Sequence, residues 1–392
     1  MSGERALRIG IVAGEESGDL LGADLVAALA RSTGRPVELV GVGGRHLADL
    51  GLKSLFDGSE IALMGISAIL RDLPRLMRRI GQVARAIAAV EPDCLVTIDS
   101  PAFSLRVAKK VRALAPSIPI VHYVCPSVWA WRSSRAAAMK PHVDHVLCLL
   151  PFEPEALARL DGPPGTFVGH RLLTEPGLER AALAQATPRD LSPGRQKQIL
   201  VLPGSRRGEV RRLAGFYGDV IGMLKQRGHD LRIVLPTVPH VANMVGEATA
   251  NWAVKPQIVI GPESKWEAFA RGDAALATSG TVTLELALCG VPLVACYKMD
   301  WIAQQIINRV ATTWSASLPN LIADTVIVPE MYPPFLRADV VMREFEPLLT
   351  DTDARAWQRN SFARLRSIMN AGRPSGEIAA EVVQRLLKAR RA

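Results

Sequence analysis

Short apolar runs, each closed by a small-residue turn and followed by a helical pattern, recur along this chain and begin again near residue 199. That alternation leaves few folds open. A strand, a Gly-rich turn, a helix and a second strand make a βαβ unit, and repeated units build a doubly wound parallel sheet. In the first half, residues 8–13 read as a buried strand, 14–19 as a polar loop (Gly-Glu-Glu-Ser-Gly-Asp) and 20–31 as a helix. Further strands are expected at 39–44, 94–98, 120–124, 146–150 and 167–170, and the Pro-containing stretch 187–197 reads as a linker. The second half repeats the scheme, with strands at 199–202, 230–236, 257–261, 274–277 and 291–297. No GxGxxG follows any strand, which disfavours a nicotinamide cofactor.

Ligands of open α/β sheets bind at the C-terminal ends of the strands, so the turns there carry the functional reading. Residues 277–293 (ATSGTVTLELALCGVPL) run from a strand into a short helix that stops at Gly290 and Pro292. Thr278, Ser279 and Thr281 are N-cap types, and Ser279-Gly280-Thr281 leaves little bulk at the positive end of the helix. Such a turn suits a phosphate-bearing ligand, with Glu285 on the same face for ribose hydroxyls; the alternative is an ordinary capped turn. Pro203-Gly204-Ser205-Arg206-Arg207 places arginine just after a strand, which suits a diphosphate, although the GK[ST] ending of a P-loop is missing. Asp99, at the end of the strand 94–98, serves as a general base or caps the next helix. Trp129, Trp131 and Arg132 form a wall against a sugar or acyl chain, or pack under a loop. His142 and His145 lack a third ligand, so no metal site is expected.

Composition narrows the partners. The 392 residues allow two or three domains, and a formal charge of +9 points to an acidic partner. Aromatic residues are only 5%, with no basic–aromatic ladder, so no nucleic acid is expected. Five cysteines without a CxxC read as buried thiols in a reducing compartment. The acidic Glu15-Glu16 after the first strand speaks against a signal peptide, and no apolar run is long enough to span a bilayer. Residues 61–88 interleave Ile66, Ile69, Leu70, Leu73, Leu76 and Met77 with Arg71, Arg75, Arg78 and Arg79. This is either a basic amphipathic segment lying in a bilayer interface or a core-facing helix with a solvated basic face.

Taken together, AGEESGD (13–19), MGI (64–66), TIDSP (97–101), HYVCPSVWAWR (122–132), LPFEP (150–154), FVGH (167–170), LPGSR (202–206), SGTVTLE (279–285) and SLPNLIA (317–323) resemble the lipid-A-disaccharide synthase family. The resemblance implies a GT-B α/β fold: two Rossmann-like domains facing a central cleft, with parallel sheets and helices on both faces. It implies an acceptor-side, membrane-docking domain over residues 1–172, a UDP-sugar-binding domain over 173–350, and C-terminal helices over 351–392 that cross back to a first domain. The implied reaction is an inverting transfer of 2,3-diacylglucosamine from its UDP donor to the 6-hydroxyl of 2,3-diacylglucosamine 1-phosphate. The products are a β-1,6-linked disaccharide and UDP, and no cofactor or metal is called for.

By matching positions, Asp99 is the implied general base and Arg206 the residue that neutralises the UDP leaving group. Ser279, Gly280 and Thr281 hold phosphate, Glu285 the ribose, and Asn320 the nucleotide side. Glu15, Ser17 and Asp19 face the acceptor. Acylated substrates turn the basic segment into an expected dock on an anionic membrane, with contacts from Ile66, Ile69, Leu70, Leu73, Leu76, Arg71, Arg75 and Arg78. The expected location is cytoplasmic, on the inner face of the inner membrane, as a homodimer that exchanges C-terminal parts. The chain departs from the family pattern at Ala102, where an aspartate is common, at Cys125, where serine is common, and near Tyr332. Two rival readings stand beside it: an epimerase-like protein acting on a soluble UDP-amino sugar, and a non-catalytic nucleotide-sugar or membrane-surface binder.

Overall fold

The computed structural model describes residues 5–58, 60–61, 69–192, 194–300, 305 and 309–391, with side chains of 69–73 and 391 outside the description. The chain divides into two compact units, one running to Arg171 and taking up the chain again from Ala371, the other Leu172–Asn370. Each contains a six-stranded sheet in which every strand pair is parallel.

The first sheet is built from β1 (Leu7–Ala13), β2 (Val37–Val42), β3 (Cys94–Ile98), β4 (Ile120–Tyr123), β5 (His145–Cys148) and β6 (Gly165–Phe167), in the order β2-β1-β3-β4-β5-β6. Strand alternation divides its side chains between two cores. Leu7, Ile9, Ile11, Val96 and Tyr123 pack on one face beneath helix Glu16–Thr33, and Val12, Leu95, Ile120 and Val146 on the other beneath helices Ile69–Val90 and Pro101–Leu114. The second sheet comprises β7 (Lys197–Leu202), β8 (Leu231–Thr237), β9 (Gln257–Ile260), β10 (Ala274–Thr278), β11 (Leu293–Cys296) and β12 (Glu330–Met331), ordered β12-β11-β10-β7-β8-β9.

Both orders reverse once. The chain builds outward from β1 to β2 and returns to set β3 on the other side of β1. It builds from β7 through β8 to β9 and returns to set β10 beside β7. At such a switch point the two neighbouring loops leave in opposite directions and open a crevice outside the strand ends.

Several strand boundaries shift by a few residues. The strand read over 167–170 lies earlier, over Gly165–Phe167, because Gly169 adopts a φ of 89° that ends extended pairing. SLPNLIA forms a short helix, Leu318–Ala323, with Pro319 in its first turn.

The C-terminal segment contributes to both units. Helix Asp353–Met369 belongs to the second, where Arg355 is buried and donates to the carbonyls of Asp273 (2.7 Å) and Leu348. Gln358, also buried, accepts from Leu293 N (2.8 Å) and donates to the carbonyls of Leu293 and Ile327 (both 3.0 Å). Helix Ser375–Arg391 lies on helix Glu16–Thr33 of the first unit, burying Ala379, Ala380, Val382 and Val383 in that core, and Gln384 donates to Ser32 Oγ at 2.6 Å. Gln358→Leu strands three buried backbone groups at once and is expected to lower the stability of the second unit by about 2–4 kcal/mol; denaturant unfolding of the two proteins side by side measures the loss.

Candidate active site

In the first unit the β1–β3 switch point is flanked by Gly14-Glu15 after β1 and Asp99-Ser100 after β3. Glu15 is the N-cap of helix Glu16–Thr33, and its carboxyl is raised above the ordinary glutamate value first by burial and then by the negative charge of Asp99. The two carboxylates therefore sense one another. Asp99 N donates to Tyr123 O at 2.9 Å, and both Asp99 (φ 48°) and Ser100 (φ 42°) adopt left-handed backbone. Val124 (φ 74°) and Arg132 (φ 54°) do the same in the loop after β4. For a β-branched residue such as Val124 that is a marked outlier, and strain gathered at one end of a sheet is a mark of a functional site. Ser17 is exposed in the first turn of the same helix.

Asp19 has another task. It is buried, and its carboxylate accepts from Gly44 N (2.6 Å), His46 N (2.7 Å) and Leu47 N (3.4 Å). The side chain caps the helix after β2, and both of its oxygens are engaged there.

The second unit repeats the arrangement at β7–β10. Arg206 is the N-cap of helix Arg207–Gln226, and its side chain is 83% exposed. Glu209 closes the turn behind it, taking the N–H groups of Ser205 and Arg206 at 3.1 Å each. Gly204 (φ 111°) is required there, since a Cβ would stand 2.4 Å from Glu209 Oε2. Next to it, Gly280 is the N-cap of helix Thr281–Cys289 with φ 155° and open space where a Cβ would sit. The serine and threonines expected as caps are thus displaced by glycine, which keeps the first-turn N–H groups clear. Ser279 N donates to Cys296 O (3.1 Å) and its Oγ to Ala316 O (3.0 Å); Thr281 is exposed. Glu285, one turn on, receives Lys265 Nζ at 2.8 Å.

Asn320 lies behind this edge, and the structure corrects its expected role. It is fully buried, its amide oxygen accepting from Ile327 N (2.9 Å) and Val328 N (2.8 Å) and its amide nitrogen donating to Val328 O (2.9 Å) and Glu330 Oε2 (3.2 Å). All the bonding capacity of the amide is spent inside the protein, so it has none left for a nucleotide. Glu330 also receives Ser315 Oγ and, at 3.1 Å, Ala316 N, so this strut supports the segment on which Ser279 rests. Residue type alone does not report the direction of its amide.

The basic segment is described in part. Ile66 lies outside the described residues, as do the side chains of Ile69, Leu70, Arg71 and Leu73. Leu76 is 3% exposed and belongs to the first unit's core with Ile80, Val83 and Ile87, so it is withdrawn from any lipid contact. Arg75 and Arg79 donate to Glu60 at 3.0 Å, while Arg78 and Met77 are exposed. Among the described residues, no helix is long and apolar enough to cross a membrane.

Glu153, from the LPFEP run, was not singled out by its sequence. It is 3% exposed, accepts from Leu149 N and Leu150 N (3.0 Å each) and from Trp129 Nε1 (3.2 Å), and lies against Cys125 and Cys148, with one ligand atom from each residue within 4.8 Å of the others. Three N–H donors occupy most of the carboxylate's acceptor sites, so this group reads as a hydrogen-bonded clasp on the loop after β4. A cavity of about 510 Å³ lined by Gly218, Gly222 and Trp252 lies along the length of helix Arg207–Gln226, away from the strand ends.

Two parallel α/β units with polar loops at both switch points define a GT-B-type fold. The same architecture occurs in Acinetobacter baumannii MurG (TM-score 0.58, 14% identity, 97% of this chain and 100% of that one). It occurs also in the UDP-GlcNAc 2-epimerase of Neisseria meningitidis bound to UDP-GlcNAc (TM-score 0.60, 12% identity, 97% and 100%). Sequence is more specific. The family model for lipid-A-disaccharide synthetase matches residues 9–380. The lipid-A-disaccharide synthase of Nitrobacter winogradskyi is 47% identical over 98% of this chain and 97% of its own, and that of Rhodopseudomonas palustris HaA2 is 46% identical over 97% and 96%. The chain belongs to the lipid-A-disaccharide synthase family.

Burial pushes the Glu153 carboxyl up to about 7 from 4.5. A carboxyl raised on folding adds stability that is complete below about pH 4.5 and is lost as pH rises through about 7. Wild-type unfolding stability relative to Glu153→Gln should therefore decline by roughly 3 kcal/mol across that window. Parallel denaturation curves at several pH values test it, and a constant difference would rule out the assignment.

Proposed function

We propose that this chain transfers 2,3-diacylglucosamine from its UDP donor to the 6-hydroxyl of 2,3-diacylglucosamine 1-phosphate, with Asp99 as general base and Arg206 on the leaving group. The reading is carried by one observation: within this family's sequence, both switch points bear the groups the reaction calls for. The acceptor oxygen forms its bond to the donor's anomeric carbon from the face opposite UDP. As it does so, its proton passes to the Asp99 carboxylate. The anomeric C–O bond breaks, and its electron pair leaves on the β-phosphate oxygen, giving UDP and an inverted, β-linked product. The charge that develops on that oxygen calls for donors, which Arg206 and the free N–H groups at the start of helix Thr281–Cys289 supply. Glu285, held by Lys265, would take the ribose hydroxyls. Glu15 and Ser17 border the acceptor beside Asp99.

Purified protein with both substrates should release UDP, and its failure to do so would remove the reading. Asp99→Ala should reduce turnover by about 10²–10⁴-fold while UDP binding persists. Arg206→Ala should weaken both UDP binding and rate, by about tenfold or more. Unchanged kinetics in either variant would strike that residue from the site.

Both substrates are acylated, which supports peripheral binding to the cytoplasmic face of an anionic inner membrane through the segment that includes Ile66, Ile69, Leu70 and Leu73, with Arg71, Arg75 and Arg78 on headgroup phosphates. Ile69→Ser with Leu73→Ser should release the protein from phosphatidylglycerol vesicles at unchanged Tm. Leu76→Ser should instead destabilise it by about 2–5 kcal/mol, as a core substitution; collapse of folding in the double variant would assign those two side chains to the core as well. A homodimer would exchange helix Ser375–Arg391, each copy replacing the contact on Glu16–Thr33 with the same contact from the other.

A further inference from the structure

Arg106, Arg132 and Arg135 come from three different elements: helix Pro101–Leu114, the loop after β4, and helix Ser134–Met139. Among the described residues no carboxylate pairs with any of them. Arg106 makes only a bond to the carbonyl of Ala102 in its own helix, and Arg132 stacks its guanidinium 4.3 Å over the ring of Trp131. Arg135 is half-buried, and its guanidinium gives up its proton more readily than usual, first because of burial and then because Arg132 and Arg106 stand near it as like charges. Gathering three cations with no counter-charge is unfavourable in the empty protein and becomes favourable only when an anion arrives.

The patch is also built, not loose. Glu153 holds the loop from beneath through the Trp129 indole N–H, and Trp129 packs edge-on against Phe152 at 5.1 Å. Trp131, two residues on, remains 39% exposed, and Arg132 sits in left-handed backbone. An exposed aromatic face beside guanidinium groups matches a sugar ring carrying a phosphate monoester, the ring laid on the indole and the phosphate oxygens in the guanidinium forks. Arg106 lies on the helix that Asp99-Ser100 leads into, which puts this patch at the same end of the sheet as the proposed base.

We propose that Arg106, Arg132 and Arg135, with Trp131 as the apolar wall, form a binding subsite for the 1-phosphate of the acceptor sugar. This rests on the reading of the first unit as the acceptor side. It makes the acceptor's phosphate a specificity element, and it fixes which end of the sugar faces away from Asp99.

Arg132→Gln and Arg135→Gln should each raise the acceptor KM by about tenfold or more, since a charge-assisted hydrogen bond is lost. Donor KM and UDP binding should stay unchanged. With 2,3-diacylglucosamine lacking the phosphate, wild type and variants should perform alike. An equal loss on both acceptors, or an unchanged KM, overturns the subsite. Loss of binding to phosphatidylglycerol vesicles with acceptor KM retained in detergent micelles also overturns it, by assigning the arginines to the lipid surface. If wild type releases no UDP at all, the proposed reaction fails separately. Calorimetric titration with glucosamine 1-phosphate then decides: binding that Arg132→Gln abolishes sustains the anion site, and no binding ends it.

Discussion

Parallel strand pairing is the constraint from which the rest of this protein follows. Every strand in both sheets runs the same way as its neighbour, so each crossover must return along a helix and every strand ends on the same edge. The edge becomes a binding place only where the strand order reverses, between β1 and β3 and between β7 and β10. Glu15 and Asp99 stand at the first reversal, Arg206 and Gly280 at the second. Their chemistry differs, but the backbone geometry that exposes them is one device used twice.

That device needs rigid sheets, and the C-terminal segment helps supply them. Gln358 bonds with both main-chain groups of Leu293 at the start of β11 and with Ile327 ahead of β12, so the outer strands of the second sheet are tied to a single side chain. Arg355 anchors the same helix to the residue preceding β10. These are buried polar contacts to backbone, which specify one arrangement where apolar packing alone would tolerate sliding. Beyond Asn370 the same segment joins the first unit's core through small residues: at Gly376 a Cβ would meet the Asp24 carbonyl oxygen at 2.8 Å, so helix Ser375–Arg391 comes as close to Glu16–Thr33 as its backbone allows.

Much of this was legible in the residues. Buried parallel strands are near-continuous apolar runs, so β3, β7 and β10 were found almost to the residue, and with them the loops bearing Asp99, Arg206 and Ser279. What residue type does not report is where a polar side chain spends its hydrogen bonds. Asp19 and Asn320 sit in runs as distinctive as those of Asp99 and Glu285, yet both turn inward and close their bonds on backbone. Leu76 illustrates the same limit for apolar residues, because a helical stripe looks alike whether it meets lipid or core. Glu153 escaped notice for the opposite reason: a glutamate between two prolines looks like an exposed helix start, and only tertiary packing buries it.

On the proposed reaction the two units would divide the electrostatic work, and their loops would not be interchangeable. A nucleotide diphosphate that arrives charged and leaves more so would meet, in the second unit, helix-dipole charge, open glycine backbone and one exposed guanidinium. An acceptor alcohol arrives neutral and must lose a proton, which calls for a carboxylate. A second carboxyl stands beside it: Glu15 holds its proton more tightly than usual, first through burial and then through the negative charge of Asp99. The strained backbone at Asp99 and Ser100 keeps the Asp99 carboxylate in a conformation a relaxed chain would abandon, and the bond from Asp99 N to Tyr123 O holds it there.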